Sequence, residues 1–367
     1  MSSIWGECVK ISVFGGSHTE AIGITIDGLP AGETIDMEAV LSQMKRRAPG
    51  QNLASTTRKE ADTPRILSGI LDGVITGDPI CAIIENTNQR SRDYGELRIK
   101  PRPGHADFPA AVKYNGCNDI RGGGHFSGRL TAPLVFAGAL CRQLLERKGI
   151  WIGAHALSVA QVGDMPFAPV QVEPDLLQRL SQEYFPVIDP KKREQMYTEI
   201  ERARLQCDSV GGVVECAAVG LPVGLGSHMF GGVENLLSSL LFGVPAVKGI
   251  EFGDGFAASR SRGSNNNDPF YYDDRGQVKT RTNHAGGVLG GMTSGMPLLF
   301  RAAIKPTASI AQEQDTVNLH THENTRLTVT GRHDPCIVPR AVPVIEAVTA
   351  IALTELMARS GLLCEEG

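Results

Sequence analysis

The 367-residue chain has no CxxC pair among its eight cysteines, few aromatic residues (5%), no long run of one charge and no GxxxxGK[ST] segment. The cysteine spacing excludes the usual zinc ribbons and thioredoxin-type redox centres. With no basic n-region leading into an apolar h-region, it predicts reduced thiols in a cytoplasmic protein. No apolar run is read as approaching the roughly twenty residues that a membrane span needs. A net charge of -4, with lysine and arginine scattered, leaves no basic stripe for nucleic acid, so any bound anion is small. Without a P-loop, the commonest nucleotide-phosphate cradle is absent as well.

Glycine, by contrast, is abundant at 42 residues, which predicts many backbone positions with positive φ or close approach to a ligand. Met37, Val40, Leu41 and Met44 recur at helical spacing after Asp36, and that helix stops at Pro49-Gly50. A second helix is expected from about Gly128 to Lys148, apolar enough from Leu134 to Leu145 to lie inside the core. Another is expected from about Ala341 to Met357. The charged stretch from Asp189 to Gln206 reads as a solvated helix.

Gly69, Gly73, Thr76, Gly77, Pro79 and Ile80 align with Gly287, Gly291, Thr293 or Ser294, Gly295, Pro297 and Leu298 as a glycine-punctuated hairpin. GLPAG at Gly28 likewise matches GLPVG at Gly220. The order GLPxG, helix, hairpin, His-containing loop, long helix occurs twice. It predicts a single domain with a pseudo-two-fold axis and quasi-equivalent halves at about 5–150 and 205–360. The polar stretch from Asp254 to His284 is long enough to be a lid or disordered.

Two polar segments are chemically suggestive: RPGHAD at Arg102–Asp107 and GRHDP at Gly331–Pro335. Each sets a histidine and a carboxylate beside an arginine, a pattern suited to proton transfer on an anionic substrate. His18 follows a strand from Val9 to Phe14 and, alone, reads as a hydrogen-bonded structural histidine sooner than as a catalyst; only the other loops change that. Arg46 and Arg47 close the first helix, where either the macrodipole or anion capture accounts for them. Arg121 to Arg129, RGGGHFSGR, runs into the buried helix and could cradle phosphate. Lys305-Pro306-Thr307-Ala308-Ser309 offers a cation with two hydroxyls. His320-Thr321-His322-Glu323 lacks a further matching ligand, so no metal is expected.

Taken in order, FGGSH at Phe14, GLPAG at Gly28, RRAPGQ at Arg46, RPGHAD at Arg102, the RGGG and SGR segments, AVKGIEFGDGF at Ala246, NHAGGVLGG at Asn283, KPTASI at Lys305 and GRHDPC at Gly331 resemble the chorismate synthase family. The resemblance runs from about residue 5 to 355. It implies an α+β fold, a β-α-β sandwich with a central layer of long helices between two antiparallel sheets, assembled as a homotetramer. It implies 1,4-anti elimination of phosphate from 5-enolpyruvylshikimate 3-phosphate to give chorismate, with reduced FMN required and no net redox change.

By the same resemblance His18 is the acid near flavin N1, His105 the acid assisting phosphate departure, and Asp334 the base acting through flavin N5. Flavin contacts are implied for His125, Phe126, Ser127, Ala246, Gly290, Lys305, Pro306, Thr307, Ala308, Ser309 and Arg332, and substrate contacts for Arg47 and Arg129. The chain has no room for a reductase domain, so a separate flavin reductase or a reducing cell supplies the electrons, with NADP as an associated nucleotide. The chain departs from the family's commonest pattern at Gly16, Thr19, His125, Phe126, Gly128 and Pro245, while the three expected catalytic residues are retained. A metal-independent phosphatase and a non-catalytic phospho-ligand binder are the alternative readings.

Overall fold

The computed structural model describes residues 3–50, 61–87, 95–329 and 333–363. Two five-stranded antiparallel sheets enclose a layer of helices. The N-terminal sheet runs Ile4–Trp5, Lys10–Gly15, Ala21–Asp27, Ile80–Glu85, Arg65–Ser68. Its partner, read from one edge, runs Val162–Gly163, Trp151–Val159, Gly212–Val219, Leu298–Ile304, Val247–Phe252. Along both sheets the hairpin of small glycine turns precedes the third long strand. Gly69, Gly73 and Gly77 have φ of 83, 78 and 93°, and Gly287, Gly291 and Gly295 have 83, 85 and 81°. A side chain at Gly69 would meet Ile80 Cα at 2.5 Å, and one at Gly287 would meet Pro297 C at 2.9 Å, so neither position tolerates a Cβ.

The helix Met37–Arg47 starts where Asp36 caps it, accepting from the backbone N–H of Glu38 and Ala39. Its buried face is Val40, Met44, Arg46 and Arg47, whereas Leu41 is exposed, a departure from the expected apolar stripe. The Thr131–Arg147 helix packs on the strands Ala21–Asp27 and Ile80–Glu85 and against the Val338–Arg359 helix. Gly138 makes that crossing close, because a methyl there would stand 2.6 Å from Ala347 O. Pro133 is accommodated in the first turn, where its missing N–H costs nothing.

Val338–Arg359 corrects one expectation from the sequence. It is long and apolar enough to cross a membrane, yet 94% of its apolar window is buried among protein, so it is the central core helix. Its two carboxylates escaped the hydropathy pattern because both are neutralised inside. Glu346 takes Arg46 at 2.5 Å and the Ala154 N–H at 3.0 Å. Glu355 accepts from the N–H groups of Glu7, Cys8 and Val9 at 2.9, 3.1 and 2.6 Å, and so pins the N-terminal hairpin to the helix.

The stretch expected as a solvated helix forms Pro190–Leu205, but it buries Met196, Ile200 and Ala203. The polar segment 254–284 holds short ordered elements rather than one structureless loop: a 3-10 helix Gly255–Arg260, a turn of helix Gly263–Asn266 and a hairpin Phe270–Tyr272 with Val278–Thr280. Asp268 ties its base by accepting from Thr282 Oγ1, His284 N and Ala285 N.

Candidate active site

At the end of strand Lys10–Gly15 the chain turns at Gly15, φ 87°, because a side chain there would strike the neighbouring strand at Ile22 Cα, 2.8 Å away. Thr19 Oγ1 closes the turn by donating to Gly16 O or Ala21 O at 2.8 and 2.7 Å. His18 is thereby buried against the glycine loop, with Nδ1 3.1 Å from Ser17 Oγ. Ser17 N donates to Gly124 O at 3.1 Å. In that loop Gly122, Gly123 and Gly124 all take positive φ, 59, 85 and 54°. A methyl on Gly122 would collide with the His18 ring, and one on Gly123 would stand 3.2 Å from His105 Nε2. Two histidines far apart in sequence therefore face consecutive glycines.

His105 is held by its own motif. Asp107 Oδ1 lies 2.6 Å from His105 Nδ1, and the same carboxylate takes Arg102 Nε at 2.7 Å and Nη2 at 2.8 Å. Burial works against the charge, but the hydrogen bonds from Arg102 and His105 outweigh it and hold the Asp107 carboxyl well below the usual carboxylate range. With Nδ1 turned to a carboxylate, Nε2 faces the glycine loop. Arg102 Nη1 also donates to Ser309 Oγ at 3.1 Å, and Lys305 Nζ donates to Gly104 O. These bonds join RPGHAD to the Lys305–Ser309 segment.

Asp334 enters from the start of the core helix, buried, with Arg340 Nη2 on its Oδ2. Pro335 O accepts from Val210 N at 2.8 Å while Ser209 Oγ donates to Thr307 O at 2.8 Å, which links this loop to the same segment. Arg332, an expected flavin contact, and Gly331 lie outside the described residues.

Arg47 and Arg129, expected to bind substrate, meet across one carboxylate. Asp62 Oδ2 accepts from Arg47 Nη1 at 2.7 Å and Asp62 Oδ1 from Arg129 Nη1. Arg47 also donates to Thr131 Oγ1 and Gly128 O, at 3.0 and 2.6 Å, and Arg129 to Asn86 Oδ1 at 3.0 Å. Arg46 and Arg47 thus point inward to carboxylates instead of fanning around the helix end. Burial, together with Arg340 and Arg129 and against the pull of Asp62, lowers Arg47 to about 10. Asp62 is the reverse case. Burial raises its carboxyl, but Arg47 and Arg129 together bring it below the ordinary value.

The remaining cofactor candidates fall in two groups, with Gly290 apart from both. Ala246, at φ 75°, accepts from Lys305 N at 2.9 Å, and Lys305 is lowered from its ordinary value by burial and then by nearby Lys248. Thr307 Oγ1 is buried with no hydrogen-bond partner among the described residues. An orphaned hydroxyl costs about 1–3 kcal/mol, so this segment fits a polar, anionic ligand that would satisfy it. Pro306, Ala308 and Ser309 belong to the same turn. Elsewhere, His125 is tied to the N-terminal hairpin, Nδ1 2.8 Å from Gly15 O and Nε2 2.8 Å from Ser3 Oγ. Phe126 is partly exposed beside Tyr114, and Ser127 Oγ caps the next turn by accepting from Arg129 N. Gly290 sits in the hairpin turn next to Gly291, which packs on Ser227, and no hydrogen bond joins it to the other candidates among the described residues.

His320 and His322 occupy an exposed turn between the strands Glu313–Asn318 and Glu323–Thr328. A cavity of about 450 Å³ lined by Val170, Tyr271, Lys279 and Arg281 lies elsewhere and shares no residue with this cluster. That cavity holds neither His18, His105 nor Asp334. The sequence reading missed Asp62, Arg340 and Asn86. Asp62 is one acid of a mixed-charge polar stretch and Arg340 looks like a helix-surface cation, so only their partners in space identify them.

A family model described as chorismate synthase matches residues 9–358. A Dehalococcoides mccartyi protein named chorismate synthase is 46% identical over 363 residues, covering 99% of this chain and 98% of that one. One from Thermococcus kodakarensis, so named, is 46% identical over 354 residues, covering 96% and 97%. A crystal structure of chorismate synthase superposes with a TM-score of 0.74 at 26% identity, covering 97% of this chain and 93% of that one.

Proposed function

The chain belongs to the chorismate synthase family, and from that premise we propose that His18, His105 and Asp334 move the protons of its reaction. The enzyme is a lyase that eliminates phosphate from 5-enolpyruvylshikimate 3-phosphate to form chorismate. The observation that carries the assignment is the meeting of His18 and His105 at Gly122 and Gly123. The loops bearing Lys305 and Asp334 are tied to the same cluster.

His105 would give its Nε2 proton to the departing phosphate oxygen, with Asp107 on Nδ1 placing a negative charge beside the imidazolium. Asp334 would take the proton lost from C6 of the substrate, in a carboxylate fixed by Arg340. His18 would hold its proton at Nε2 on the cofactor side, Nδ1 being turned to Ser17. Arg47 and Arg129 would hold anionic groups of the substrate. Reduced FMN, when bound, would provide transient electron donation with no net redox change. Lys305, Thr307 and Ser309, with Ala246, would hold that group. The orphaned Thr307 hydroxyl and the Lys305 cation support this, and Phe126, Gly290 and Arg332 would complete the contact.

Further parts of the reading are a homotetramer, an external flavin reductase or reducing environment, and a cytoplasmic setting. Exposed Val223, Met229, Phe230 and Phe256 support the first, as apolar surface that assembly would cover. The matching strand order and glycine turns support one domain with quasi-equivalent halves.

The test is anaerobic: 5-enolpyruvylshikimate 3-phosphate with oxidised or photoreduced FMN, following chorismate absorbance and phosphate release. Equimolar products only with reduced FMN are expected, and Asp334→Asn should abolish them while leaving FMN binding nearly intact. Phosphate release without chorismate would instead mark a phosphatase.

A further inference from the structure

We infer that Asp62 is a specificity-determining residue, an internal anion that occupies the oxyanion position of the Arg47–Arg129 pair and is exchanged for an anionic group of the substrate. The inference rests on the reading that these two arginines hold substrate. Each carboxylate oxygen of Asp62 accepts from a different guanidinium, the donor arrangement that a phosphate or a substrate carboxylate would meet. The Asp62 side chain is 0% exposed, so it stands in the desolvated position itself and not at its rim.

Two features suit the pair to exchange. Thr131 Oγ1 and Gly128 O hold Arg47, and Asn86 Oδ1 holds Arg129. All three are neutral acceptors on other edges of the guanidiniums, so both arginines stay in place when Asp62 leaves. Asp62 itself has φ of 51°, a left-handed conformation that its ion pairs to Arg47 and Arg129 hold in place.

The consequence is selectivity. A small monoanion or free phosphate must displace a carboxylate that is already desolvated and doubly paired, and gains little by doing so. A substrate with several anionic groups anchored elsewhere in the site brings its oxyanion to the pair at high effective concentration and wins the exchange. After elimination, the return of Asp62 would favour release of phosphate.

The experiment is calorimetric titration of the full-length protein with inorganic phosphate, and separately with pyruvate as a carboxylate probe, at fixed pH and ionic strength. Asp62→Asn should bind at least one of them about tenfold more tightly than wild type, since an internal competitor has been neutralised. The probe that gains more identifies the group that Asp62 represents. Unchanged or weaker binding by a variant that melts cooperatively overturns the inference. Arg129→Gln separates this from the underlying reading. If it abolishes binding while Asp62→Asn fails to tighten it, the arginines bind anions and Asp62 does not compete. If Arg129→Gln has no effect on either probe, the reading of the arginines itself falls.

Should Asp62→Asn not fold, wild-type amide exchange decides. Saturating phosphate should speed exchange in the peptide spanning residues 61–66, as Asp62 loses its anchors, and slow it at Gly128–Thr131. Protection of both segments would overturn the exchange.

Discussion

A single methyl group at Gly122 tests whether the placement of His18 matters. Gly122 has φ 59° and ψ 17°, a left-handed conformation that alanine adopts at a cost of about 1–2 kcal/mol. That strain alone would lower the melting temperature modestly. The steric effect is larger, because the new methyl would collide with His18 Nδ1 and stand 2.6 Å from Ser17 Oγ. The imidazole is the movable partner, so it shifts by on the order of 1 Å, and misplacement of that size costs about a hundredfold in rate. Gly122→Ala should therefore lose about a hundredfold in kcat. Gly123→Ala, at φ 85°, shares the strain, but its methyl would stand 3.2 Å from His105 Nε2. That neighbour need give only a few tenths of an ångström, and a loss of about tenfold or less is expected. The assay is anaerobic chorismate formation over a range of substrate concentrations, with thermal melts on the same preparations. A Gly122→Ala enzyme that turns over at the wild-type rate would refute the role of His18. A larger loss in Gly123→Ala than in Gly122→Ala would refute the steric argument.

Asp107→Asn should reduce kcat and remove stability at neutral pH, since Arg102 keeps its charge in a buried site and breaking such a pair costs about 3–5 kcal/mol. The folded carboxyl is depressed, so its contribution is present above the unfolded pKa near 3.9 and is lost as pH falls through the folded value. A wild-type melting curve no steeper in acid than that of Asp107→Asn would count against it. His155 lies between Asp164 at 3.0 Å and Glu215 at 3.1 Å. Burial opposes its charge, but the two carboxylates raise its pKa above the ordinary value. Its contribution is fully present below about 6.5 and is lost as pH rises through the folded value. His155→Gln should therefore flatten the alkaline decline in melting temperature, and an unaltered decline would exclude His155 as its source. Gly138→Ala should destabilise by up to about 2 kcal/mol in chemical denaturation, overpacking at Ala347 of about 1–3 kcal/mol outweighing the roughly 1 kcal/mol gained in helix propensity. A more stable variant would show that the helix crossing relaxes.

The helices were legible from periodicity because their burial is one-sided or complete. Val40 and Met44 announce one, and the run from Leu134 to Leu145 another, although Leu41 faces solvent because helical spacing cannot say how far the neighbouring Thr131–Arg147 and Val338–Arg359 helices reach. The paired glycine turns were legible because positive φ leaves few choices of residue. The histidines and Asp334 were legible as motifs, since proton-transfer types beside arginine and glycine are rare in packing segments.

What tertiary structure alone decided is which charges meet. Glu346 and Glu355 look misplaced in an apolar helix until Arg46 and the N–H groups of Glu7, Cys8 and Val9 arrive from far along the chain. Asp62 carries no local signal at all. Sequence by itself determined the backbone positions that need glycine, the helices and the chemical types at the site, because these depend on residues close in the chain. The partners of Arg47 and Arg129, and the bond from Arg102 to Ser309, depend on distances between segments separated by tens to hundreds of residues, and only folding around the shared core sets them.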